Sequence, residues 1–163
     1  MVEYNIMIVG DGGVGKTAFA KRFNTGHFVR QYIATQGIDV IKSGLDSDKF
    51  NIIDTSGQEK FSDIPLNRLQ IHGVIIMFDV TSKITYKNVP FWYEKVTNMF
   101  GSIPIVLCGN KVDSQYRKVK ARMIDLHWKY GIKYYDVSAK SCYNYEKPFM
   151  TILDQLLFSR CRL

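Results

Sequence analysis

The chain has 163 residues, 46% of them hydrophobic and 23% charged. That is enough for one domain with a sizeable core and too little for two ordinary ones, and the balance is that of a globular protein, with no low-complexity stretch or internal repeat. The net charge of +7 is spread along the chain, densest in RKVKAR from Arg117 to Arg122; with no groove-reading motif beside it, direct nucleic-acid binding is not expected.

In chain order, YNIMIVG reads as a buried first strand closed by glycine, and a short helix follows from Lys16 to about Asn24. TGHFVRQYIATQG reads as a long loop. IDVIKSG and KFNIIDT are strands of a hairpin joined by LDSD. The polar segment SGQEKFSDIPLNRLQ holds Pro65 and precedes a fourth strand, GVIIMFDV. NVPFWYEKVTNMF has helical spacing, with a proline tolerated at a helix start. IPIVLCGN is a fifth strand, KARMIDLHWKYG a helix closed by glycine, KYYDVSA a sixth strand and EKPFMTILDQLLF a last helix. Alternating strands and helices after a hairpin, linked by right-handed crossovers, predict an α/β fold. Its sheet is mainly parallel with helices on both faces, and ligands sit outside the carboxyl ends of the strands.

Every motif falls at such an end. GDGGVGKT, Gly10 to Thr17, fits G-x-x-x-x-G-K-[ST] between a predicted strand and a predicted helix. Successive main-chain N–H groups of Asp11, Gly12, Gly13, Val14, Gly15, Lys16, Thr17 and Ala18 can surround a polyphosphate only where side chains stay out of the way, hence the glycines. The helix N-terminus adds a favourable field. Lys16 would neutralise the β- and γ-phosphates, and Thr17 would offer a hydroxyl to Mg2+.

NKVD ends the fifth strand. Asp113 can accept two hydrogen bonds from guanine N1–H and N2–H2, donors that adenine lacks on that edge, so the wrong base leaves polar groups unpaired. Lys111 can lay its aliphatic stem over the ring. Asn110 can tie this loop to the phosphate loop. In SAK, Ser138, Ala139 and Lys140, the Ala139 N–H could reach guanine O6; Phe28 could cover the other ring face.

DTSGQ closes the third strand. Asp54 can hold Mg2+ through a water, the Gly57 N–H can meet a γ-phosphate oxygen, and Gln58 can orient an attacking water. Thr35 could supply a second hydroxyl to Mg2+ and an N–H to the γ-phosphate. Catalysis would rest on Gln58, Lys16, Thr35 and Gly57 through positioning and charge stabilisation. Two loops ordered by the terminal phosphate and released with it make a switch. No arginine is clearly placed to act in cis, Arg30 reading as a solvated loop residue. The unassisted rate is expected on the order of 10⁻⁴ per second, with Gly12 leaving room for an arginine supplied in trans.

The motif set GDGGVGKT, Thr35, DTSGQE, NKVD and SAK resembles that of the small GTPases of the Ras superfamily. IIMFDVTSKITYKNVPFWYEKV, IPIVLCGNKVD, RKVKA and YYDVSAKSCYNYEKPF resemble its Ran-like, nuclear-transport branch. The likeness runs from about Tyr4 to about Leu157. It implies a P-loop GTPase fold over residues 1–163: six strands with one antiparallel edge and about five helices. It also implies GTP hydrolysed to GDP with Mg2+, an exchange factor, a GTPase activator, importin- or exportin-type carriers, and residence in nucleus and cytoplasm. Tyr32 matches a tyrosine that shields the catalytic glutamine.

This sequence departs from that branch in FSDIPLNRLQ, in a shorter hairpin, in Ser56 where alanine is usual, and in ending at basic RCRL with no acidic extension. MVEYNIM has no basic stretch, so no signal peptide is expected. Cys161 is third from the end, so no prenyl anchor is expected either. Cys108, Cys142 and Cys161 lack metal or redox spacing and read as reduced thiols. A monomer without a membrane anchor is anticipated. The other readings are a nucleotide-holding decoy with little turnover, another Ras-superfamily signalling or trafficking GTPase, and an ATP-using P-loop enzyme.

Overall fold

The computed structural model describes residues 3–25, 38–45, 48–55 and 70–161. Strand β1 (Glu3–Val9) leads to helix α1 (Lys16–Thr25). Strands β2 (Ile38–Leu45), β3 (Asp48–Thr55) and β4 (Gly73–Asp79) follow, then helices α2 (Lys83–Lys87) and α3 (Val89–Phe100), β5 (Ile105–Asn110), α4 (Leu126–Tyr130), β6 (Lys133–Asp136) and α5 (Lys147–Arg160). The six strands form one sheet in the order β2-β3-β1-β4-β5-β6. Only β2 runs antiparallel to its neighbour, pairing Ile38 with Thr55 through Leu45 with Asp48. The fold class is the one the sequence predicts.

Period-two alternation divides the core into two layers. Ile6 and Ile8 of β1, Ile75 and Met77 of β4, and Val106 and Cys108 of β5 join Phe19 of α1 and Phe149 and Ile152 of α5 on one face. Met7 and Val9, Val74, Ile76 and Phe78, and Ile105 and Leu107 face the other way, onto Val89, Trp92 and Val96 of α3. All seven residues of β4 are buried, as a central parallel strand covered on both faces requires. Phe23 of α1 lies 4.3 Å from the Phe149 ring, and Phe19 stacks on it at 5.6 Å, joining α1 to α5.

Some elements differ from expectation. The helix anticipated over 120–131 is divided into a 3-10 turn, Ala121–Met123, and the short α4. Ile124 between them is extended and buried in the α3-side core. The Tyr86 hydroxyl restarts the helix by accepting the N–H groups of Asp125 at 2.9 Å and Leu126 at 3.2 Å. Gly131, left-handed at φ 65°, ends it. Helix α2 is absent from the sequence reading. The hairpin strands run further than expected, leaving residues 46 and 47 between them, and β6 stops at Asp136, before Val137. Within RKVKAR, Arg117 pairs with Asp136 at 2.7 Å and Val119 is fully buried, so this stretch is not a uniformly solvated run of charge.

Candidate functional site

The carboxyl ends of β1, β3, β4, β5 and β6 lie along one edge of the sheet, and the loops that leave them are stitched together. The glycine-rich loop follows β1. Gly10, Gly13 and Gly15 have φ of 149°, 78° and 99°. A Cβ on Gly10 would meet the Met77 carbonyl oxygen at 2.1 Å, and one on Gly15 would meet Asn110 Nδ2 at 2.4 Å. The loop's path is thus closed to side chains at both ends. Lys16 is buried, and its Nζ donates to the carbonyl oxygens of Gly10 at 2.8 Å and Asp11 at 2.9 Å, so the ammonium spans the loop's mouth. The first amide of α1 bonded within the ladder is that of Phe19, to the Gly15 carbonyl at 2.9 Å. The amides of Lys16, Thr17 and Ala18 precede that ladder, where a helix favours an anion.

The end of β5 is tied to this loop. Asn110 Nδ2 donates to the Val14 carbonyl at 2.9 Å, and its Oδ1 accepts the Ala139 N–H at 3.3 Å. Lys111, left-handed at φ 68°, donates from Nζ to the Gly13 carbonyl at 2.7 Å and pairs with Asp79 at 2.8 Å. Its stem thus runs from the base loop to the phosphate loop. Asp79 is itself fixed by Thr81, whose N–H and hydroxyl both donate to Oδ1 at 2.8 and 2.6 Å. The Ser138 hydroxyl donates to Asp113 Oδ1 at 2.7 Å and accepts the Ser141 N–H at 2.9 Å, which orients the exposed carboxylate. The Lys140 carbonyl accepts Arg22 Nη2 at 2.9 Å, fastening the last loop to α1.

At the end of β3, Asp54 is fully buried and accepts the Thr17 hydroxyl at 2.5 Å. The structure therefore gathers Asp11, Gly12, Gly13, Val14, Gly15, Lys16, Thr17, Ala18, Asp54, Asn110, Lys111, Asp113, Ser138, Ala139 and Lys140 at one edge. Phe28, Tyr32, Thr35, Gly57 and Gln58 lie outside the described residues, with Arg30, Ser56 and Pro65.

A sequence model of the Ras family matches residues 5–158. The chain belongs to the Ras family. Ras-family proteins are small GTPases, switches that bind GTP or GDP together with Mg2+ and are served by exchange factors and GTPase activators. The donor set of this Ras-family chain suits that metal: Thr17 hydroxyl and Asp54 carboxylate, brought together from two elements, are hard oxygen ligands. Mg2+ bound there would neutralise charge on the β- and γ-phosphate oxygens.

Three residues of the network escaped the sequence reading. Asp79 is the last residue of β4 and Asp54 the last but one of β3, and the place of Asp79 at a strand end was the available signal. Asn88 and Trp92 of the α2–α3 region reach the phosphate loop through Asp11; no local motif marks them, because the contact spans 77 and 81 residues.

Proposed function

We propose that this Ras-family chain is a single-domain, GTP-dependent switch of the Ran-like type, which binds and slowly cleaves GTP and controls nucleocytoplasmic carriers of the importin or exportin class. Its places of work would be the nucleus and the cytoplasm. The observation that carries the nucleotide reading is the bridge from base loop to phosphate loop. Asn110 and Lys111 bind the Val14 and Gly13 carbonyls while Asp113 stands at the same strand end. A ligand spanning that edge would meet amides and Lys16 at one end and a carboxylate at the other, which is the charge pattern of a guanine nucleotide.

In this reading the main-chain groups from Asp11 to Ala18 hold the phosphates, Lys16 screens them, and Thr17, Thr35 and Asp54 serve the metal. Asp113, Lys111, Asn110, Ser138, Ala139, Lys140 and Phe28 hold the base. Gly57 and the Thr35 N–H meet the γ-phosphate, Gln58 orients the attacking water, and Tyr32 shields Gln58. The transport role rests on the Ran-like surface stretches and not on the site.

Single-turnover hydrolysis of GTP by the full chain, with and without a GTPase activator, tests the switch. The expected result is slow unassisted cleavage, acceleration by the activator and loss of acceleration in Gln58→Leu. ATP should not compete at similar concentrations. No acceleration, and no loss in that variant, would favour the decoy reading. Pull-down of carriers by GTP-loaded but not GDP-loaded protein tests the transport role.

A further inference from the structure

Asp11 is the one carboxylate in the glycine-rich loop. A negative charge there would repel a polyphosphate if it faced the ligand. It does not: Oδ2 accepts Asn88 Nδ2 at 2.6 Å, and Oδ1 accepts Trp92 Nε1 at 2.8 Å. The same residue's carbonyl accepts Lys16 Nζ at 2.9 Å, so residue 11 is gripped on its main chain from α1 and on its side chain from α3.

Both donors are committed to that grip. Trp92 is 3% exposed and set in the α3-side core, so its indole N–H cannot turn aside without unpacking the helix. Asn88 stands at the N-cap of α3, where its carbonyl accepts the Trp92 N–H at 3.3 Å. Asparagine at that position usually caps its own helix, yet this side chain makes no capping bond and reaches Asp11 instead.

We propose that Asp11 is a positioning residue: through Asn88 and Trp92 its carboxylate anchors the phosphate loop to α3 and thereby slows release of the bound nucleotide. The inference rests on the nucleotide reading above. Two charge-assisted hydrogen bonds to one carboxylate fix the loop's second residue in translation and rotation. The amides from Gly12 onward are then presented to the phosphates already ordered. The anchor also turns the carboxylate's charge towards α3.

The test is release of a fluorescent GDP analogue from the full chain in excess Mg2+. Asp11→Ala, which strips both donors of their acceptor, is expected to speed release about tenfold. Trp92→Phe and Asn88→Ala each speed it by less. The double variant Asp11→Ala/Trp92→Phe releases no faster than Asp11→Ala, because the two act through one contact. Asp11→Asn recovers most of the loss, since a rotated Asn88 amide can accept from it while Trp92 still donates. The preference for GDP over ADP is unchanged throughout, because the base end is untouched.

Wild-type release from Asp11→Ala overturns the anchor, as does a double variant whose acceleration is the product of the two singles. Should Trp92→Phe not fold, the same cycle with Asn88→Ala decides. A wild-type chain that retains no GDP overturns the nucleotide reading itself, whereas one that retains GDP with unaltered Asp11→Ala release overturns the anchor alone.

Discussion

The Asp113 carboxylate is oriented by the Ser138 hydroxyl at 2.7 Å yet remains exposed, so its value lies in what it can accept. Asp113→Asn replaces one acceptor oxygen with a donor NH2, which would face a guanine N–H. A hydrogen bond to a charged group lost in this way costs about 2–3 kcal/mol. GDP affinity is expected to fall about a hundredfold by calorimetric titration, with the urea midpoint of the nucleotide-free chain nearly unmoved. Unchanged affinity would remove Asp113 from the base site. Gly15 is a backbone case. At φ 99° with Asn110 Nδ2 only 2.4 Å from an added Cβ, Gly15→Ala must strain the loop or break the Asn110–Val14 bond. A cost of about 2 kcal/mol is expected, read as a lower urea midpoint together with faster GDP release. A variant as stable and as retentive as the parent would show that the loop has slack there.

The start of the short helix α4 is set by a distant side chain. Helix α4 has five residues and no side-chain cap of its own; the Tyr86 hydroxyl from α2 accepts two of its leading amides and donates to Asp125 at 3.0 Å. Burial pushes the Tyr86 hydroxyl above its ordinary range, the Asp125 and Leu126 amides pulling the other way, so it stays a protonated phenol near neutrality. Tyr86→Phe should cost about 1 kcal/mol. Hydrogen exchange should then quicken in α4 while β4 and β5 keep their protection; uniform exchange across both would refute the capping role. This explains the misreading of residues 120–131. The apolar spacing of KARMIDLHWKYG suits one helix, but Ile124 is claimed by the core and Tyr86 restarts the helix at Asp125, and neither fact is local. Long strands were legible because GVIIMFD and IVLCGN carry no polar side chain before their last residues, Asp79 and Asn110, as double-faced burial demands. The phosphate loop was legible for a related reason: its backbone requires glycine wherever Met77 or Asn110 comes close. The anchor of that loop on Asn88 and Trp92 was not, since only tertiary packing puts α3 beside residue 11.

For the molecule as a whole, two half-buried histidines among the described residues, His72 and His127, link stability to pH. His72 Nδ1 accepts the Asn5 N–H at 2.9 Å and its ring stands edge-on to Tyr4 at 5.5 Å, so the ring holds the start of β1 beside β4 only while that nitrogen is unprotonated. Burial lowers the pKa of His72. Burial also lowers that of His127, with the nearby Asp125 charge working in the opposite direction. Each folded value therefore lies below the unfolded 6.5. Between the two values the unfolded chain holds more protons, so the stability to unfolding rises with pH across that window. The contribution is complete above 6.5 and is lost as pH falls from there towards the folded value. Loss of the His72–Asn5 bond alone is worth about 1 kcal/mol, or roughly 3 °C in Tm for a domain of this size. Calorimetric scans should show Tm level on this account above pH 7 and falling towards pH 5.5. In His72→Asn an uncharged amide oxygen can take the same N–H, and the fall should become shallower, leaving the share due to His127. An equally steep fall in that variant would mean that acid unfolds the chain through its carboxylates, and that the His72 contact with β1 is not the sensitive point.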